Sequence, residues 1–197
     1  VAAIVDHFSR RVVGFEVFRR QPSATDICRF LDTTVACAGS APKYIISDQG
    51  CQFGEEYLAC CDSHGTQARF GAIGKSGSIA LIERFWSTFK SAGMRKMLVP
   101  YGVGQMREEV RVFCLWYNGV RPHSSLGGAT PDEVYFGVQP TRDGPRFEPR
   151  RRFPLGLKLM ASAPRAMRGR RGVKLELIAG YFEGRKHLPV VALRRAA

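Results

Sequence analysis

Residues 44–70 read YIISDQGCQFGEEYLACCDSHGTQARF, and their pattern decides the fold. Tyr44-Ile45-Ile46 is short, apolar and rich in β-formers, which suits a buried strand. It stops at the polar turn Ser47-Asp48-Gln49-Gly50. Residues 55–63 suit a short helix halted by His64-Gly65, and residues 66–70 are a second short strand. On the N-terminal side, residues 1–5 and 11–18 are apolar and β-branched runs flanking a turn, an antiparallel hairpin. Ser23 caps a helix over residues 24–38, with Ile27, Phe30, Leu31 and Val35 on one face, ended by Gly39-Ser40-Ala41-Pro42.

On the C-terminal side, residues 71–77 (GAIGKSG) form a glycine-rich loop. Ser78 then caps a long helix from Ile79 to about Leu98, with Gly93 inside it. Residues 105–117 are the next helix, closed by Asn118-Gly119, followed by the loop 121–131 and one helical turn at 132–136. Residues 141–172 are rich in Pro, Arg and Gly and predict little regular structure, whereas 173–178 and 190–193 pair as a terminal β-ribbon. Hairpin, helix, strand, helix, strand and long helix make an α/β layered protein with a mixed sheet.

The 197 residues are 45% hydrophobic and 24% charged, a globular composition that excludes a disordered chain, collagen and a disulfide mini-protein. No apolar run approaches a membrane span of ~20 residues, and no secretory signal pattern opens the chain. The net charge of +13 is uneven. Residues 1–145 carry 16 basic and 14 acidic side chains, and residues 146–197 carry 14 and 3. Such a tail points to a polyanion, nucleic acid above all, against the alternative of a solvated extension. The six cysteines form no C-x-x-C pair, so no zinc framework is expected. Cys28 and Cys37 are expected to pack as small hydrophobes, and His7, His64 and His187 to be surface or structural. Reduced thiols suit the cytoplasm.

Two carboxylates stand out. Asp48 follows an apolar strand, where open α/β sheets place ligands; alternatively it only starts an Asx-turn toward Gly50. Glu83 lies on the long helix, whose apolar face is expected to centre on Ile82, Trp86 and Phe89. On an ideal helix Glu83 and Lys90 border that face within about 20° of each other, a site candidate or an ordinary surface pair. Carboxylates suit Mg²⁺ or Mn²⁺, which accept oxygen ligands and substrate phosphates. Metal-assisted phosphodiester chemistry and the basic tail point to the same partner, DNA or RNA.

Four stretches in order, VDHFSRRVVG (5–14), SDQGCQF (47–53), GKSGSIALIERFWSTFK (74–90) and WYNGVRPHSSLGGATP (116–131), resemble the catalytic core of insertion-sequence transposases and retroviral-type integrases. That family carries an Asp, Asp, Glu triad with about 35 residues between the last two; here 34 separate Asp48 from Glu83. The resemblance implies a ribonuclease-H-like fold over residues 1–137, a basic linker at 138–172 and a ribbon-like extension at 173–197. It further implies DNA cleavage and strand transfer, Mg²⁺ or Mn²⁺, homo-oligomers, no membrane and no small-molecule cofactor. Asp48 and Glu83 match the second and third metal ligands, and Lys90, Arg121 and His123 match DNA-contacting positions. Chemically, Arg121 is a good phosphate fork; a structural turn is the alternative for it and for His123.

The first carboxylate of the triad is not assigned. Asp6 reads as a turn residue, because the family's Asp lies on the strand before the one resembling residues 1–5. The chain has no initiator Met and opens in mid-strand, so a longer protein lacking its first, central strand here is expected. Residues 1–197 are accordingly expected to be inactive alone. A non-catalytic nucleic-acid-binding remnant and a ribonuclease-H-like nuclease of another family are the competing readings.

Overall fold

The computed structural model describes residues 1–71, 79–94, 97, 100–138, 165–168 and 174–195. All but Gly71 of the expected loop at 71–77, the expected helix cap Ser78, and nearly all of the linker at 138–172 lie outside the described residues. The chain divides into two compact units, one of residues 1–7, 12–87 and 100–108, the other of residues 8–11, 88–99 and 109–197.

The first unit opens with the hairpin. Strand β1 (Ala2–Val5) pairs antiparallel with β2 (Val12–Glu16), with an irregularity at Ile4/Val5. Helix α1 (Ala24–Ala38) begins at a reciprocal capping box between Ser23 and Asp26, which satisfies two backbone N–H groups that the helix leaves without intrahelical partners. Hydrogen bonds from Ser23 hold the Asp26 carboxyl below the usual carboxylate range. The helix ends where Gly39 adopts φ 73°, a left-handed conformation that glycine enters freely. Strand β3 (Tyr44–Ser47), helix α2 (Glu55–Ser63) and strand β4 (Gln67–Phe70) form a strand–helix–strand unit with β3 and β4 parallel.

The core of this unit is Ile27 and Leu31 of α1 against Tyr57 and Cys61 of α2, with Ile4, Ile45, Phe53 and Ala68 packed on them. Side chains alternate along a strand, so only the Ile45 side of β3 meets these helices. Tyr44 and Ile46 point the other way and are 40% and 42% exposed, which corrects the expectation of a wholly buried strand. Among the described residues, no ladder joins the β1–β2 pair to the β3–β4 pair. The expected mixed sheet is thus present as one antiparallel and one parallel pair.

Helix α3 (Ala80–Thr88) is shorter than the expected long helix, because it passes into a π-helical segment, Phe89–Met94. In the second unit, Phe89 packs edge-to-face on Phe113 at 5.0 Å. A Cβ on Gly93 would stand 3.2 Å from both of those rings, so glycine permits the close packing. Helix α4 (Val103–Gly119) buries Val110, Val112, Phe113, Trp116 and Tyr117. Helix α5 (Pro131–Phe136) starts at a second capping box, Thr130 with Glu133.

The terminal strands β5 (Arg165–Arg168), β6 (Lys174–Tyr181) and β7 (Pro189–Arg195) form an antiparallel sheet in that order. Strand β5 falls where little regular structure was expected; its order comes from pairing with β6, a non-local term that composition does not carry. The β6–β7 turn docks on α4. Trp116 Nε1 donates to the Pro189 carbonyl at 2.9 Å, the Arg185 guanidinium forks onto Glu109 at 3.0 and 3.1 Å, and Leu188 is fully buried.

Gly14 of β2 is where α1 comes closest to the hairpin. An added Cβ would fall inside contact distance of Thr34 Oγ1 and 2.7 Å from Cγ2. Thr34 is buried, β-branched and tied to the Phe30 carbonyl at 2.8 Å, so it cannot swing aside. Gly14→Ala should destabilise the chain by ~1–3 kcal/mol, read as a lower urea midpoint at unchanged slope. An unchanged midpoint would show that the hairpin and α1 part without cost.

Candidate functional site

Asp48 stands directly after β3, whose end is held by Gly71 N–H donating to the Ser47 carbonyl at 2.9 Å. The Asp48 side chain is exposed and its Oδ1 accepts from Gly50 N–H at 3.0 Å. This is the expected Asx-turn, and it fixes one carboxylate oxygen while the other can serve a cation. The turn is anchored behind by Phe53, whose ring meets Tyr57 edge-on at 5.0 Å. Its own burial raises the Tyr57 phenol well above the ordinary range, so Tyr57 stays neutral.

Glu83 lies in the first turn of α3, in the same compact unit as Asp48, and is exposed. The buried stripe of this helical stretch is Phe85 and Phe89, each 2% exposed, with Ile82 and Trp86 half-buried. Its centre is therefore displaced from the expected Ile82, Trp86 and Phe89, and Glu83 faces outward instead of bordering the core. Lys90 is also exposed, but it falls in the π-helical segment, where the α-helical angle to Glu83 no longer applies. Two exposed carboxylates are oxygen donors of the kind hard divalent cations accept, so the residues present fit Mg²⁺ or Mn²⁺. Asp6, the alternative carboxylate, follows β1 at the start of the turn.

Arg121 and His123 are placed differently from Lys90. They are 6% and 5% exposed. The Arg121 guanidinium lies over the Trp116 and Tyr117 rings at 5.9 and 5.7 Å and within 3.3–3.4 Å of the His123 ring nitrogens. His123 meets Tyr117 edge-on at 4.7 Å, and its backbone N–H donates to the Ala129 carbonyl at 3.0 Å. Nearby, Arg11 pairs with Asp132 at 2.7 Å and stacks over Tyr135 and Phe136.

The cysteines are all free thiols, and Cys37 is exposed instead of packed. Burial pushes the thiols of Cys60 and Cys114 up to about 12, so neither is an activated nucleophile. One group went unrecognised in the sequence: Asp32, Cys60 and His64 converge, with their ligand atoms within 4.8 Å of one another. The signal was present as residues four apart on each of two helices, not as C-x-x-C.

The burial of Arg121 makes a stability difference measurable. Arg121→Ala should cost ~1–3 kcal/mol, because it removes a buried guanidinium from its aromatic and polar partners. Lys90→Ala, on an exposed side chain, should stay within ~0.5 kcal/mol of the parent. Equal melting behaviour of the two variants would contradict the buried placement.

Two family models, each described as an integrase core domain, match residues 1–76 and 64–131. An uncharacterised Caenorhabditis elegans protein, K02A2.6, is 36% identical over 98 residues, which are 49% of this chain and 7% of that protein. The chain thus spans a small part of this curated relative. A chain in the structure of a simian T-cell lymphotropic virus intasome in complex with PP2A regulatory subunit B56 gamma aligns with 98% of this chain and 70% of its own. Its TM-score is 0.56 at 17% identity, a likeness of fold that agrees with a ribonuclease-H-like α/β architecture. The four sequence stretches all fall within residues 1–131, which the two models together cover, and this part of the chain belongs to the integrase core domain family.

Proposed function

We propose that this chain is the core of a DNA transposase or integrase that cleaves and joins phosphodiesters with Mg²⁺ or Mn²⁺, acting as a homo-oligomer on DNA. The observation that carries this reading is the pair of integrase core matches over residues 1–131, within which Asp48 and Glu83 are exposed carboxylates of one compact unit. Asp48 and Glu83 would hold the cation. When bound, such ions activate the attacking oxygen and stabilise the leaving one. Gly50 N–H orients the Asp48 carboxylate by holding Oδ1. Lys90 is exposed and suited to a phosphate contact, while the buried Arg121 and His123 serve the reading better as struts of the α4–α5 connection. The basic residues from 146 onward neutralise backbone phosphates without reading bases. Free thiols throughout suit a cytoplasmic setting. No helix among the described residues is long and apolar enough to cross a membrane.

The resemblance assigns two of three metal-binding carboxylates to this sequence. Residues 1–197 assayed alone with Mn²⁺ and a labelled duplex carrying element ends should therefore not join strands. The same chain extended by the family's preceding strand with its Asp should do so. In that extended protein, Asp48→Asn or Glu83→Gln should lower the rate about a thousandfold, equivalent to ~4 kcal/mol at 1.36 kcal/mol per factor of ten. Joining by residues 1–197 that Asp6→Asn abolishes would make Asp6 the missing ligand and overturn the assignment. An inert extended protein that still binds DNA would favour the second reading, a non-catalytic nucleic-acid-binding protein, which the 14 basic against 3 acidic residues of 146–197 support.

Both readings share one expectation. DNA affinity should fall steeply, by orders of magnitude, between about 50 and 200 mM salt, and unrelated duplexes should compete equally. An affinity indifferent to salt would exclude the phosphate-binding tail.

A further inference from the structure

Helices α1 and α2 lie against each other through Ile27, Leu31, Tyr57 and Cys61. Beside that apolar contact, each helix presents two donor residues four apart: Cys28 and Asp32 from α1, Cys60 and the C-capping His64 from α2. Residues at this spacing share a helix face, so two packed helices bring four donors to one seam. His64 Nε2 and Asp32 Oδ1 are 2.6 Å apart, and the Cys60 thiol is 3.9 Å from the same carboxylate oxygen. The thiols of Cys28 and Cys60 adjoin each other, and the Cys28 thiol also donates to the Glu56 carbonyl at 3.7 Å.

We propose that Asp32, Cys60 and His64 form a zinc site that pins α1 to α2, with the fourth position taken by water or Cys28. The donor set decides the metal. One thiolate, one imidazole and one carboxylate suit the borderline-soft Zn²⁺, whereas Mg²⁺ takes oxygens. At zinc bond lengths of about 2.0–2.3 Å, tetrahedral ligand atoms stand about 3.3–3.8 Å apart. The sulfur–oxygen distance of 3.9 Å lies just beyond that range, so the thiol must move in by about 0.4 Å. The His64–Asp32 pair is a hydrogen bond that zinc must replace, which requires those atoms to part by about 0.7 Å. The His64 and Asp32 side chains are 23% and 57% exposed, so an ion has a path in and room for that adjustment. The site is separate from Asp48 and Glu83 in both residues and metal type, and it stands or falls independently of the proposed reaction.

The test uses the whole 197-residue chain, reduced and stripped of metal, titrated with Co²⁺ and then Zn²⁺. One equivalent of Co²⁺ should give intense visible bands of a tetrahedral ion plus a near-ultraviolet thiolate-to-cobalt band, and Zn²⁺ should bleach both. Cys60→Ser should lose the thiolate band. His64→Ala should weaken binding beyond the ~10–100-fold that loss of a mere supporting partner costs. Cys37→Ser, at an exposed thiol elsewhere on α1, should behave as the parent. Circular dichroism checks the fold of each variant. Should His64→Ala fail to fold, Asp32→Asn at the exposed ligand replaces it, and Zn²⁺ should raise the melting temperature of the parent but not of that variant. A parent with no tetrahedral cobalt spectrum at saturation, or a thiolate band unchanged in Cys60→Ser, would overturn the proposal.

Discussion

The contact of Ile27 and Leu31 with Tyr57 and Cys61 is the constraint on which the rest of the first unit depends. Leu31, Tyr57 and Cys61 are each at most 2% exposed, and fully burying a large apolar side chain contributes roughly 1.5–3 kcal/mol. On this two-helix floor rest Ile4 of β1, Ile45 of β3 and Ala68 of β4. Ile45 is two residues before the end of β3, and Asp48 is the next residue after that end. The helix pair thereby sets where the Asp48 carboxylate stands, while Phe53, packed on Tyr57, holds the far side of its turn. The Asp32, Cys60 and His64 cluster borders the same seam, so a zinc ion there would reinforce the same contact.

Exposure sorts the polar residues by physical role. Asp48, Glu83 and Lys90 are exposed and available to solvent-borne partners. Arg121 and His123 are buried among Trp116 and Tyr117, where a guanidinium over aromatic faces is worth more than it is in water. A charged residue in a motif need not touch the substrate. It can instead hold the turn after α4 in the shape that the motif's glycines and Pro131 allow. On the C-terminal segment, the Arg185 guanidinium is spent on Glu109.

Local features were legible in the sequence because they are decided locally. Ser23 with Asp26, Gly39, the hairpin and the 55–63 helix follow from side-chain capping, backbone freedom and alternation within a few residues. The four motifs gave the family before any packing was known, and the family matches agree. Features decided by distant partners were not legible. Strand β5 needs β6, the π-helical segment needs Phe113 against Phe89 and Gly93, and the exposure of Tyr44 and Ile46 depends on which side of β3 the helices cover. Glu83 turned outward for the same reason, since Phe85, not Ile82, proved the centre of the buried stripe. The zinc-type cluster was hidden because its two halves lie on separate helices, 28 residues apart between Asp32 and Cys60.

The central claim is that Asp48 and Glu83 serve one cation. Paramagnetic broadening of backbone amide signals on adding substoichiometric Mn²⁺ tests it most directly, because the effect reports proximity to the ion without requiring catalysis. The account predicts that signals flanking Asp48 and those flanking Glu83 broaden together, and that Asp48→Asn or Glu83→Gln removes the broadening at both places. Broadening at one carboxylate that persists when the other is neutralised would contradict it.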